Sequence, residues 1–142
     1  MEFYKRKTTK TDHKLVRQFL AEFNVKVHFV NKGWSSADSI NRLIEIDVRE
    51  TRSIQELWSI VFHELGHVYC HDNYLYEKYH REGCRVEHSY YHRMGLKIER
   101  FVDKKGKELM KAYYPDIPYM KAYNTEDDKV WYKKWLNRCY PL

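Results

Sequence analysis

Apolar residues recur at helical spacing over residues 12–23 (DHKLVRQFLAEF), where Leu15, Val16, Phe19, Leu20 and Phe23 fall on one stripe. This segment is predicted to be an amphipathic helix packed on the core. The period then shortens to two. In VKVHFV (25–30), Val25, Val27 and Phe29 alternate with Lys26 and His28, the pattern of a strand. Asn31-Lys32-Gly33 reads as a turn, and the polar stretch from Trp34 to Ser39 as a loop. A second half-buried strand is predicted over RLIEIDV (42–48), with Ile44, Ile46 and Val48 on one face and Glu45 and Asp47 on the other.

Ser53-Ile54-Gln55-Glu56 has the form of a capping box and opens a helix expected to reach about Cys70. Its core stripe is Ile54, Leu57, Trp58, Val61, Leu65 and Val68, while Glu56, Ile60, His63 and His67 form a second stripe that faces elsewhere. Residues 71–95 are polar and tyrosine-rich and read as a long connection, with helical pieces near 74–81 and 85–93. A further helix is predicted from Leu96 to Tyr114, stopped by Pro115 and Pro118. Thr125 caps a last helix, with Glu126, Asp127 and Asp128 in its first turn and Val130, Trp131, Trp135, Leu136 and Cys139 as its apolar positions. Trp131 and Trp135, with Tyr132, are expected to be core at this spacing, the other reading being an aromatic surface for a partner. No repeat, linker or low-complexity tract interrupts the pattern, so one α+β domain over residues 1–142 is expected.

Composition narrows the class. With 142 residues the chain is long enough to bury a core without staples, and 16% aromatic content within 43% hydrophobic residues excludes intrinsic disorder despite 32% charge. No apolar run approaches about 18 residues, and MEFYKRKTTK lacks the apolar segment of a secretory leader. A soluble cytoplasmic protein with no membrane partner is the expectation. The formal charge is +6 and densest at Lys5, Arg6, Lys7, Lys10, Lys14 and Arg17, which reads as a solvated basic arm. The excess also allows a weak nucleic-acid contact, although no nucleic-acid-binding signature accompanies it. Cys70, Cys84 and Cys139 are odd in number and form no CxxC, which argues for reduced thiols rather than a disulfide framework or a cysteine-rich zinc site.

Histidine carries the chemistry. Six of the eight lie between positions 63 and 92, and His63-Glu64-Leu65-Gly66-His67 is HExxH. On a helix, residues i and i+4 stack on one face, so both imidazoles can reach one Zn²⁺. Glu64, one residue on, is placed as the general base that takes a proton from a water activated by the metal. Gly66 permits close approach of another element. A catalytic zinc needs a third protein ligand and an open position. The pattern HExxHxxGxxH is excluded, because Cys70 and Asn73 stand where it requires glycine and histidine. Downstream, Glu99-Arg100-Phe101-Val102-Asp103 puts two carboxylates at i and i+4. Glu99 is the candidate third ligand, and Asp103 the candidate acceptor that fixes a ligand histidine's tautomer. Glu87-His88-Ser89-Tyr90-Tyr91-His92 offers His88 or His92 as the competing ligand. His71 is expected to sit outside the metal shell or in solvent.

HELGH followed by ExxxD resembles the zinc signature of gluzincin-type metallopeptidases. More specifically, VKVHFVNKG, LIEIDV, SIVFHELGHVYCH and ERFVDKKGKELM resemble the small ImmA/IrrE-type metallopeptidases of phages and mobile elements, over roughly residues 25–112. The resemblance implies a zincin-like α+β fold with helices packed on a small, mostly antiparallel sheet. It also implies His63, His67 and Glu99 as zinc ligands, Glu64 as catalytic base, and a protein or peptide substrate, such as a regulatory protein. Phe101 and Val102 replace the second acid and the alanine of that family's helix pattern, and the insert between the motifs is long. A third ligand from His88 or His92 would instead resemble the SprT-type pattern of DNA-associated metalloproteases. A non-catalytic zinc-containing module that binds protein or DNA is the remaining alternative. Tyr90, Tyr91, Tyr113 and Tyr114 are all possible donors to a tetrahedral oxyanion. The strand 42–48 either pairs an extended substrate or is interior.

Overall fold

The computed structural model describes residues 2–73 and 88–121, with residues 88–99 described as helical backbone only. Helix α1 (Lys10–Ala21) starts at Thr9, whose hydroxyl accepts from the Asp12 N–H while the Asp12 carboxylate accepts from the Thr9 N–H. This reciprocal pair satisfies N–H groups that a helix start otherwise leaves bare. Arg6 donates to the second Asp12 oxygen at 2.9 Å, and Lys5 pairs with Glu2 at 3.3 Å, so part of the basic arm is neutralised. The next elements are β1 (Lys26–Val30), β2 (Ser36–Asp38), β3 (Leu43–Asp47), a 3-10 turn (Val48–Glu50), α2 (Ile54–Asp72) and α3 (His88–Tyr113).

The sheet order is β1-β3-β2, with β1 and β3 parallel and β2 and β3 antiparallel. It is therefore mixed, not mostly antiparallel as expected. The reason lies in residues 34–39, expected to be a loop. After the left-handed Gly33 (φ 97°), the chain builds β2 before it reverses. The reversal then lays β3 beside β1 in the same direction, with Val27 opposite Ile44 and Phe29 opposite Ile46. Both edges of β3 are thereby occupied, so the strand 42–48 is interior and pairs no substrate.

Two strand positions depart from simple alternation. Asp47, expected on the polar face, is fully buried, and Val48, expected inside, is 38% exposed, because the strand ends there in the 3-10 turn. The Asp47 carboxylate accepts from the Gly33 N–H and, at 2.8 Å, from the Arg49 N–H. Arg42 (φ 54°) closes the other end of the sheet. Its guanidinium donates to the carbonyls of Phe23 and Asn24 and to Asp72 at the end of α2.

The core lies between α1, the sheet and α2. Val16, Leu20, Ile44, Ile46, Leu57, Val61 and Phe62 are all fully buried. Each such side chain is worth about 1.5–3 kcal/mol of burial. Every residue of the stripe predicted for α2 is buried; in α1, Leu15 departs from its stripe and is half exposed. Phe19 meets the rings of Trp58, Phe62, Tyr113 and Tyr114 at centroid distances of 5.3–5.8 Å, tying α1 to α2 and to the end of α3. Ser53 caps α2 by accepting from the Glu56 N–H at 3.1 Å, but the Glu56 carboxylate accepts from the Arg52 N–H rather than from that of Ser53. Helix α3 is described from His88, ahead of the predicted start at Leu96, and includes residues 88–93 of the second helical piece of the connection. The piece at 74–81, the last helix with Trp131, Tyr132 and Trp135, and Cys84 and Cys139 lie outside the described residues. Among the described residues no helix is long and apolar enough to cross a membrane.

Candidate metal centre

The pitch of α2 sets His63 and His67 one turn apart, with ring centroids 5.3 Å apart and planes at 79°. His63 and Glu64 are each 6% exposed and His67 is half-buried. Burial of polar groups on this scale requires partners, and α3 supplies one.

Two glycines let α3 approach. A Cβ on Gly66 would stand 2.8 Å from the Val102 carbonyl oxygen and 3.2 Å from Val102 Cγ1. A Cβ on Gly106 would stand 2.7 Å from the Phe62 carbonyl oxygen and 3.1 Å from the His63 Cα. The two backbones thus touch on both sides of the crossing. HExxH spacing points to Gly66, whereas nothing local in the sequence marks Gly106. The close crossing brings buried Asp103 to 3.3 Å from His63 Nδ1, carboxylate oxygen to ring nitrogen. A carboxylate here favours a proton on Nδ1 and leaves the lone pair of His63 on Nε2.

Tyr119 also reaches Asp103, its hydroxyl donating to the same Oδ1 at 2.5 Å. Pro115 and Pro118 end α3, and the chain is then laid back against α2. Gln55 Nε2 donates to the Pro118 carbonyl, and the Met120 N–H donates to buried Ser59 Oγ, both at 2.9 Å. The prolines signal that the chain turns, but nothing local in the sequence marks Tyr119 as a site residue.

Glu99 lies in α3 one turn ahead of Asp103, and its side chain is outside the described residues, as are those of Tyr90, Tyr91, His88 and His92. Among the described residues no three His, Cys, Asp or Glu side chains are grouped to hold a metal ion. His63 and His67 are the described members of the expected set. Two imidazoles one turn apart on a helix, one with its Nδ1 facing a carboxylate, suit zinc by donor type and by outer support. His71 is exposed at the end of α2, with Nδ1 3.7 Å from Asp72. Tyr113 and Tyr114 pack in the aromatic cluster around Phe19.

Glu50 lies in the 3-10 turn after β3, and no spacing rule relates it to HExxH. Burial pushes its carboxyl above the usual range, and the negative charges of Asp47 and Glu64 push it further, against the opposing Arg49. Glu64 therefore shares its surroundings with a second acid. Cys70 is buried, free, and pushed up to about 11 by desolvation, so its thiol is chemically quiet.

Comparisons of the chain with protein-family models, with curated proteins and with solved structures gave no match.

Proposed function

We propose that the chain is a zinc-dependent metallopeptidase that hydrolyses a peptide bond in a protein substrate. The observation that carries this reading is the 3.3 Å approach of Asp103, from ERFVD, to Nδ1 of His63, from HELGH. Two motifs proposed from spacing alone to serve one metal meet through a histidine–carboxylate pair of the kind that orients metal ligands.

In this reading His63, His67 and Glu99 hold the metal. When bound, zinc supplies a Lewis acid for the scissile carbonyl and brings the pKa of water close to 7. Glu64 takes the proton of the attacking water and delivers it to the leaving amine nitrogen. Asp103 keeps His63 in the tautomer that presents Nε2, and Tyr119 keeps the Asp103 carboxylate in place. The resemblance to ImmA/IrrE-type enzymes points to a regulatory protein as substrate, and the free thiol of Cys70 suits a reducing cytoplasm.

Elemental analysis of zinc per chain, in wild type and in Glu99→Ala purified without chelator, tests the assignment. About one zinc in wild type and a large loss in Glu99→Ala is the expected result. Zinc retained in Glu99→Ala moves the third ligand to His88 or His92, and a wild-type chain that takes up no zinc overturns the metallopeptidase reading.

A further inference from the structure

A cavity of about 420 Å³ opens beside Asp103, lined by Arg100, Asp103, Lys104, Lys107, Tyr119 and Lys121. Arg100, Lys104 and Lys107 follow one another at spacings of four and three, so they share one face of α3. Lys121 arrives from the segment that Gln55 and Ser59 hold against α2. Three cations of one helix face, with Lys121 opposite, thus line one concavity whose only acid among the described residues, Asp103, already receives the Tyr119 hydroxyl and faces His63.

The neighbouring charge on α3 is treated differently. Lys105 pairs with Glu108 at 3.3 Å and lies over the Phe101 ring. Among the described residues no carboxylate forms an ion pair with Arg100, Lys104 or Lys107. Like charges gathered in a concave wall repel one another and focus a positive potential into the opening. A ligand carboxylate relieves that repulsion.

We infer that this cavity is a subsite for an acidic stretch of the polypeptide substrate, with Arg100, Lys104 and Lys107 receiving Asp or Glu side chains. The inference rests on the metallopeptidase reading and names its substrate class. Asp103 lines the cavity and also faces Nδ1 of His63, so the acidic contact falls beside the reaction centre rather than over it. The charges suit a short peptide better than a nucleic acid. Positions 100–107 span only about 10 Å of helix, whereas a duplex presents phosphates along its whole length. The N-terminal cations Arg6 and Lys5 do not extend the patch, being paired with Asp12 and Glu2.

Fluorescence anisotropy on the full chain carrying Glu64→Gln, so that no probe is consumed, tests this with three labelled probes. These are a peptide with a run of Glu and Asp, the same peptide with Gln and Asn, and a DNA duplex. The acidic peptide should bind, about tenfold or more tighter than its amide counterpart, and should weaken as salt is raised. Lys104→Glu with Lys107→Glu should remove about tenfold of that affinity, while circular dichroism shows the fold retained. Equal binding of the two peptides, an unchanged affinity in the double variant, or a preference for the duplex overturns the inference. The peptide comparison in the unaltered cavity decides the matter even where the double variant fails to fold. Zinc content of the wild-type chain, read alongside, separates the two failures. Acidic preference without zinc sinks the metallopeptidase reading alone, and zinc without acidic preference sinks the subsite alone.

Discussion

The Asp103 carboxylate and the His63 imidazole lie 3.3 Å apart although forty positions separate them in the chain. The contact crosses the α2–α3 interface at the point where Gly66 and Gly106 remove side chains from between the helices. Asp103→Asn keeps the shape of the side chain and removes its charge. Zinc affinity, measured by competition with a chromogenic chelator, is expected to fall about 10–100-fold. An unchanged affinity would show that the pair does not support the metal.

Glu64 is buried one residue from His63 and is assigned no metal contact. Glu64→Gln should therefore keep its zinc and lose at least about a hundredfold in peptide hydrolysis. Paired zinc analysis and single-substrate cleavage read the two effects separately. Loss of zinc together with activity would instead place Glu64 among the ligands.

The glycine crossing makes a stability prediction. An alanine at Gly106 drives its Cβ into the Phe62 carbonyl, and one at Gly66 into that of Val102. Backbone atoms cannot turn aside as a flexible side chain can. Each substitution is expected to cost about 1–3 kcal/mol, read as a lower urea midpoint. Gly66→Ala and Gly106→Ala should also weaken zinc binding, because separating the helices carries Asp103 away from His63.

Acid sensitivity follows from Asp47 and Asp12. Burial alone would raise the Asp47 carboxyl, but the N–H groups of Arg49 and Gly33 and the Arg49 charge outweigh it, so the group titrates below the usual carboxylate range. Asp12 behaves likewise, its burial outweighed by the Arg6 guanidinium and the donors of Thr9. A native pKa below the unfolded one means that the unfolded chain binds more protons as the medium turns acid. The contribution is thus complete above the unfolded value, about 3.9, and is lost as pH falls through the native one. Urea midpoints taken from about pH 6 down to about pH 3 should fall more steeply for wild type than for Asp47→Asn. Parallel curves would remove Asp47 from the account.

Local rules served the long elements well and the long-range relations poorly. Ser53 and an uninterrupted apolar period place the start of α2 and all of its buried stripe. A three-residue strand such as β2, whose Ala37 is its single apolar residue, has too little pattern to stand out from a loop. The parallel relation of β1 and β3 is hidden with it, since strand direction depends on how many reversals lie between two strands. Asp47 has the alternation of a solvent-facing acid, and only the fold of residues 33–35 over it explains its burial. The ExxxD spacing suggests an acid set against a histidine, but that the histidine facing Asp103 is His63, and that Tyr119 joins them, depends on helix crossing and on the return of the chain after Pro118. Neither leaves a periodic trace.

The backbone contact at Gly66 and Gly106 has a consequence for the connection between the two helices. Helix touches helix directly there, so the spacing of His63 and Asp103 is fixed by the crossing rather than by the length of chain that joins the two helices. Residues added or deleted between 73 and 88 change the path from one half of the pair to the other without changing the distance across it. The length of that connection is therefore free to change while both glycines and the pair between them stay where they are.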